Sequence, residues 1–215
     1  MAQLHCAYAG FSPVRPTNDV DIVLHVETTR RLPATAADAL ESLGYELAPS
    51  IDPRERTAHR FRRQGSVVDL LATGEDVVDV LMADHVAPRA RERLRGREMV
   101  AIEGGTQALR RTINAQLTID GQETVVSVPS PLAAVVLKAA AYRADSRNPE
   151  RHLQDAAALL ACIEDPYEAR ESLKGSDGQR LRLLADALPD DSSHWRALDA
   201  APRTDAQAAL RIMTA

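Results

Sequence analysis

Lysine is nearly missing from this chain. Only Lys138 and Lys174 occur among 26 basic residues, so arginine carries almost all of the positive charge and a lysine inside an apolar helix stands out. Aromatic residues are equally scarce, with one Trp, two Phe and four Tyr in 215 residues. That scarcity argues against single-strand binding by base stacking and leaves a core to be built from Ala, Leu and Val. The two cysteines, Cys6 and Cys162, give no metal-ligand spacing and no disulfide framework, and fit a reduced, cytoplasmic setting. His5, His25, His59, His85, His152 and His194 show no zinc spacing and read as structural or solvated. No apolar run approaches the ~20 residues needed to span a bilayer, and no signal sequence opens the chain, so no membrane partner is expected. The net charge of −5 does not suit a general nucleic-acid coat protein.

What is present is globular in character. Hydrophobic residues make up 45% of the chain, enough to bury a core as one domain or two small lobes. Residues 15 to 26, Arg-Pro-Thr-Asn-Asp-Val-Asp-Ile-Val-Leu-His-Val, set two carboxylates at the mouth of a β-branched run. In a strand, positions i and i+2 share a face, so Asp19 and Asp21 point the same way while Val20, Ile22, Leu24 and Val26 can enter a core. Two adjacent anions repel, and a divalent cation between them relieves the repulsion. Hard oxygen ligands of this kind suit Mg²⁺ carrying a polyphosphate. Arg15 and Thr17, just upstream, are placed to hold phosphate oxygens. A further acid lies in Ser66-Val-Val-Asp-Leu-Leu-Ala72, where Asp69 sits inside an apolar pattern and needs a partner if ionised. With its strand beside the first, Asp69 completes a three-carboxylate cluster able to hold two metal ions, and doubles as the base for an attacking hydroxyl.

The order Arg-x-Thr-x-Asp-x-Asp, a helix, then two strands with a third Asp resembles the nucleotidyltransferases of the polymerase-β-like superfamily, and within it the AbiEii/AbiGii toxin family. The resemblance continues in Pro129-Ser-Pro-Leu-Ala-Ala-Val-Val-Leu-Lys-Ala-Ala-Ala-Tyr-Arg143, similar to the family's lysine-bearing helix, and in His152-Leu-Gln-Asp-Ala-Ala-Ala-Leu159, similar to the helix after it. It spans about residues 1 to 165. It implies that Lys138 binds the triphosphate as a point charge and that Asp155 orients the lysine or meets the nucleotide. It also implies transfer of NMP from an NTP to the hydroxyl of a tRNA or protein, Mg²⁺ as cofactor, and a cognate antitoxin.

The chain departs from that pattern at its start. The family carries a Gly-Gly or Gly-Ser turn before the acidic strand, whose N–H groups cradle phosphate. Here Met1 to Gly10 reads as the accompanying helix alone, with Leu4, Ala7 and Tyr8 at helical spacing and Gly10 as its stop. The expectation is a chain shortened at its N-terminus, with an upstream start restoring the turn. The contrasting expectation is a non-catalytic nucleotide-sensing or interaction module on the same fold. A small-molecule nucleotidyltransferase of antibiotic-modifying type is the rival within enzymes. At Arg151 and His152 the family's lysine is replaced by arginine.

The expected fold is α+β: residues 1–129 as a small mixed sheet flanked by helices, and 130–215 as a helical lobe. Thr35 to Gly44 has helical spacing and a glycine stop. Tyr45 to Ala48 and His59 to Arg63 read as strand fragments, followed by a turn at Gly65 and the Asp69 strand in a hairpin. Residues 76 to 100 read as charged and irregular, with the arginine runs at 54–63 and 89–97 as solvated faces. Gln107 to Ile119 and Thr124 to Val128 read as strands about an Asp120-Gly121 turn, and Ser130 as an N-cap. Beyond it, helices are expected with breaks at Asn148-Pro149, Asp165-Pro166, Gly175 to Gly178, Pro189 and Pro202, packed through Leu181, Leu184, Ala185 and Leu188.

Overall fold

The computed structural model describes residues 1–11, 19–48, 56–64 and 75–215. They form an α+β protein that divides into two units, one of Met1–Pro16 with Arg110–Ala215 and one of Thr17–Leu109. In sequence the division falls at 109/110, whereas a change to helix-forming composition begins near 130. The difference comes from the first helix, α1 (Ala2–Tyr8), and from a hairpin, both of which group with the C-terminal helices. His5 Nε2 donates to the Pro129 carbonyl at 2.8 Å. Gly10, at φ +81°, lies just past the end of α1, where the sequence puts its stop.

The Thr17–Leu109 unit is built on a mixed sheet. Strand β1 (Asp19–Leu24) leads into helix α2 (Leu32–Ser42), which has Pro33 in its first turn and ends before Gly44 at φ +83°. Short strands β2 (Glu46–Leu47) and β3 (Thr57–Ala58) precede β4 (Arg60–Gln64) and the long β5 (Glu75–Ala83). The order is β1-β5-β4-β2, with β1 parallel to β5 and the pairs β5/β4 and β4/β2 antiparallel. Strand β5 therefore occupies the place beside β4 that the sequence reading gave to the Asp69 strand, and Asp69 itself lies outside the described residues. Residues 76–100, expected to be irregular, contain β5 together with β6 (Arg93–Leu94) and β7 (Arg97–Met99). The physical reason is burial. Val78, Val80 and Met82 pack with Phe61, Leu24, Ala37 and Leu40 as a core, and a strand paired on both sides can be a nearly continuous apolar run.

After β7, which pairs with β3 and β6, comes β8 (Ala101–Ile102), parallel to β5, and then helix α3 (Gly105–Arg110). Residues 107–110, expected to begin a strand, belong to this helix. Gly105 is required by close approach: a Cβ there would meet Ile102 Cγ2 at 2.8 Å and the Ala83 Cα at 3.0 Å. The Asp84 carboxylate accepts from the N–H groups of Gly104 at 2.8 Å and Thr106 at 3.0 Å, pinning the helix start to the end of β5. Arg95, in the arginine run at 89–97, is bound to Asp38 and Glu41 of α2.

The other unit opens its C-terminal part with an antiparallel hairpin, β9 (Thr112–Ile119) and β10 (Gln122–Pro129), around the expected turn. Asp120 at φ +51° and Gly121 at φ +78° give the paired left-handed residues of a tight hairpin loop. Then follow α4 (Pro131–Ala144), α5 (Glu150–Leu160), α6 (Pro166–Glu171), α7 (Asp177–Ala187) and α8 (Ala200–Thr214). Ser130 caps α4 by accepting from the Ala133 N–H at 3.4 Å. Pro202, expected as a break, lies in the first turn of α8, where a missing N–H costs nothing. Val135, Val136, Leu153, Leu159, Leu160, Leu181, Leu184 and Trp195 form the buried centre. Arg111 ties the start of β9 to the helices, with Nη1 at 2.8 Å from the wholly buried Asp177 carboxylate and Nη2 donating to the Ser172 carbonyl. No described helix is long and apolar enough to cross a membrane.

Candidate functional site

Two constellations carry the residues singled out by sequence, one in each unit. The first is a rung across three strands of the mixed sheet. Asp21 of β1 stands in register with Asp79 of β5, and Asp79 stands in register with Arg60 of β4. Residues paired in register across strands share a face. The rung thus sets two carboxylates and a guanidinium in a row, opposite to the face that Val78, Val80 and Phe61 turn to the core. Asp21 is exposed and Asp79 is buried, at 7%. An ionised carboxylate in that position needs compensation, and Arg60 supplies it through a two-pronged pair, Nε to Oδ1 at 2.8 Å and Nη2 to Oδ2 at 2.7 Å.

Asp79 escaped the sequence reading although its signal was present. Val77-Val78-Asp79-Val80-Leu81 repeats the apolar-flanked pattern of Val67-Val68-Asp69-Leu70-Leu71 ten residues earlier. Local pattern does not distinguish the two runs, and the register sets Asp79 beside Asp21. Asp19 begins β1 in register with Val77. Arg15, Thr17 and Asp69 lie outside the described residues. Among the described residues, no three His, Cys, Asp or Glu side chains gather as a metal-ligand set. The donor chemistry of the rung nonetheless suits a hard cation, because Asp21 and Asp79 offer only carboxylate oxygens.

The second constellation lies where α4 meets α5. Lys138 Nζ is 2.8 Å from Asp155 Oδ2, with side chains 19% and 8% exposed. Both lie on the helices that the sequence indicated, α4 and α5, and are paired with each other. Beside them, Asp145 follows α4 and accepts from the N–H groups of Arg147 and Asn148 at 2.9 and 3.2 Å. Those two bonds, joined by His152 and Arg151 and opposed by desolvation, hold the Asp145 carboxyl well below the usual range. His152 Nε2 lies 3.0 Å from Asp145 Oδ2 and 3.3 Å from Arg151 Nε. His152 Nδ1 is buried without a hydrogen-bond partner. Burial, helped by the positive charges of Lys138 and Arg151, lowers the His152 pKa against the pull of Asp145.

No protein-family model matches the chain, and no curated protein matches it. Among solved structures, an antigenic nucleotidyltransferase-like protein from Paracoccidioides brasiliensis is 17% identical, with the match covering 90% of this chain and 80% of that one at a TM-score of 0.48.

Proposed function

We propose that this chain is a metal-dependent nucleotidyltransferase whose carboxylates are Asp19, Asp21 and Asp79. The observation that carries the reading is the register of Asp21 with Asp79 on parallel neighbouring strands, which puts a further acid beside the Asp-x-Asp motif. Mg²⁺ bound by these oxygens would neutralise a nucleoside triphosphate and lower the barrier to attack at its α-phosphorus. Asp79, in register with Asp21, is the candidate to accept the acceptor hydroxyl's proton, a role that the sequence alone gave to Asp69. Each of its two oxygens accepts one bond from Arg60, so a cation or proton taken up there competes with the guanidinium, which pairs readily with phosphate if released. By the resemblance to the AbiEii/AbiGii toxins, Lys138 meets the triphosphate, Asp155 holds Lys138 in place, and Arg15 and Thr17 touch phosphate oxygens. The acceptor is then the hydroxyl of a tRNA or protein, and a cognate antitoxin is the partner.

One observation favours a second reading. A carboxylate already neutralised by a two-pronged arginine is what a non-catalytic module would retain for stability. Incubation with Mg²⁺, each labelled NTP and total tRNA separates the two. Label transfer is expected from the chain, with a loss of about 10²-fold or more in Asp21→Ala and Asp79→Asn. Transfer that survives Asp19→Ala and Asp21→Ala overturns the proposed site. Absence of transfer together with retained Mg²⁺-NTP binding identifies the module.

A further inference from the structure

Among the described residues the β9/β10 hairpin is a sheet of two strands, a size that is marginal in water unless a further strand or a helix covers it. Its register runs from Thr112 with Pro129 to Ile119 with Gln122 without a skipped residue and divides the side chains between two faces. One face carries Ile113, Ala115, Leu117 and Ile119 of β9, with Val126 and Val128 of β10 beside them. Only Val128 of these is buried; Ile113 is 44% exposed, Ile119 53% and Val126 36%. Asn114, Gln116 and Thr118 belong to the other face, where Ser127 Oγ donates to the Asn114 carbonyl at 2.8 Å and Gln116 Nε2 to the Glu123 carboxylate at 3.2 Å.

The outer edge of β9 is unguarded. Over its eight residues it has no charge, no proline and no bulge, the devices that keep such an edge from pairing with another strand. By contrast, β10 carries Glu123 and ends at Pro129, which has no N–H to give. A neutral edge offers nothing to a charged segment, but it matches itself. Turned about a two-fold axis through Gln116, β9 meets its own copy with every pair on a common face: Ile113 opposite Ile119, small Ala115 opposite large Leu117, Asn114 opposite Thr118, and Gln116 opposite Gln116. The Asn114 amide can donate to the Thr118 hydroxyl across that axis. We propose that this protein forms a two-fold homodimer in which β9 pairs antiparallel with β9 of a second copy, making one four-stranded sheet, β10-β9-β9-β10, with a continuous apolar face. The contact is isologous and closes at two chains, and Glu123 and Pro129 lie on the outer strands. A single strand edge is smaller than the about 800 Å² per partner of a standard interface, which puts the dimer in the micromolar range. Nothing in the pairing depends on nucleotide transfer.

The test is analytical sedimentation of the full chain in reducing buffer, from about 1 to about 200 μM. The wild-type chain is expected to pass from monomer to dimer over that range. Gln116→Lys and Gln116→Glu each set like charges about 5 Å apart across the axis, which should weaken the dimer about tenfold or more while the far-UV spectrum and thermal midpoint stay unchanged. An equimolar mixture of the two, one of them tagged, should recover a mixed dimer, because lysine then faces glutamate. Val125 stands opposite Gln116 on β10. In Val125→Lys the two added charges lie three strand spacings apart, about 14 Å, beyond the screening length at physiological salt, so the dimer should persist. A wild-type chain that stays monomeric through the range overturns the proposal and leaves the edge to a different protein. Dimerisation undiminished in Gln116→Lys, or a mixture that fails to dimerise, overturns it as well, since either result places the contact away from the axis through Gln116.

Discussion

Asp79 and Arg60 are unequal partners, and the inequality can be measured. The Asp79 side chain is 10% exposed and that of Arg60 41%. Removing the guanidinium leaves a carboxylate largely cut off from water, whereas removing the carboxylate charge leaves an arginine that can reach solvent. Arg60→Met is therefore expected to destabilise by about 2 kcal/mol, below the usual cost of breaking a fully buried pair because Arg60 is half-exposed. Asp79→Asn should cost about 1 kcal/mol. Urea unfolding of the two variants checks the order. A larger loss in Asp79→Asn would mean that Asp79 supports the sheet through more than Arg60. At this scale Lys138 stood out in the sequence as one of two lysines, set in an apolar helix, while Asp155 was reached through the family resemblance; the structure pairs the two. Asp79 was not legible. Two Val-Val-Asp runs ten residues apart look alike until a strand partner is assigned, and partner choice is a long-range property.

Helix boundaries were readable wherever a local hydrogen bond or a fixed backbone angle sets them. Ser130 before Pro131, Asp165 before Pro166, the glycine stops at Gly10 and Gly44 and the Asp120-Gly121 turn all act within a few residues. Strand β5 failed that kind of reading because its acids, Asp76 and Asp79, interrupt the alternation and are compensated by Arg63 and Arg60 of the neighbouring strand. The start of α3 failed because it depends on Asp84, some twenty residues earlier, and on the space that Gly105 leaves. Caps that are local in sequence should also be local in effect. Asp165 accepts from the N–H groups of Tyr167 and Glu168 at 2.9 and 3.0 Å. Asp165→Ala should therefore cost about 1 kcal/mol and raise amide exchange across α6. Ser130→Ala should cost less, since its single bond spans 3.4 Å. Equal losses in the two variants would show that something other than the cap bonds is being removed.

For the whole molecule, the charge that matters between neutral and mildly acidic pH is on two buried histidines. His5 and His152 both belong to the unit that contains the helices, and both are held below the ordinary imidazole pKa, in each case chiefly by burial. At His5 the Pro129 carbonyl opposes that effect and the N-terminal charge adds to it; at His152 the Asp145 carboxylate opposes it and Lys138 and Arg151 add to it. A lowered folded-state pKa means that, as pH falls through about 6.5, the unfolded chain takes up protons before the folded one does. Stability is thus full above that value, declines as pH falls toward the folded-state pKa values, and levels off below them. The slope is bounded at roughly 1.4 kcal/mol per pH unit for each imidazole. The carboxyls of Asp84 and Asp145, which are held low, stay ionised through this range and leave the window to the histidines. Thermal unfolding followed from about pH 8 to about pH 5.5 should show the midpoint falling. His152→Gln, whose amide can still donate to Asp145, should flatten the fall by removing one titrating group. A midpoint that rises on acidification, or a slope unchanged in that variant, would mean that His152 is already protonated in the folded chain and that its hydrogen-bonded Asp145 outweighs its burial.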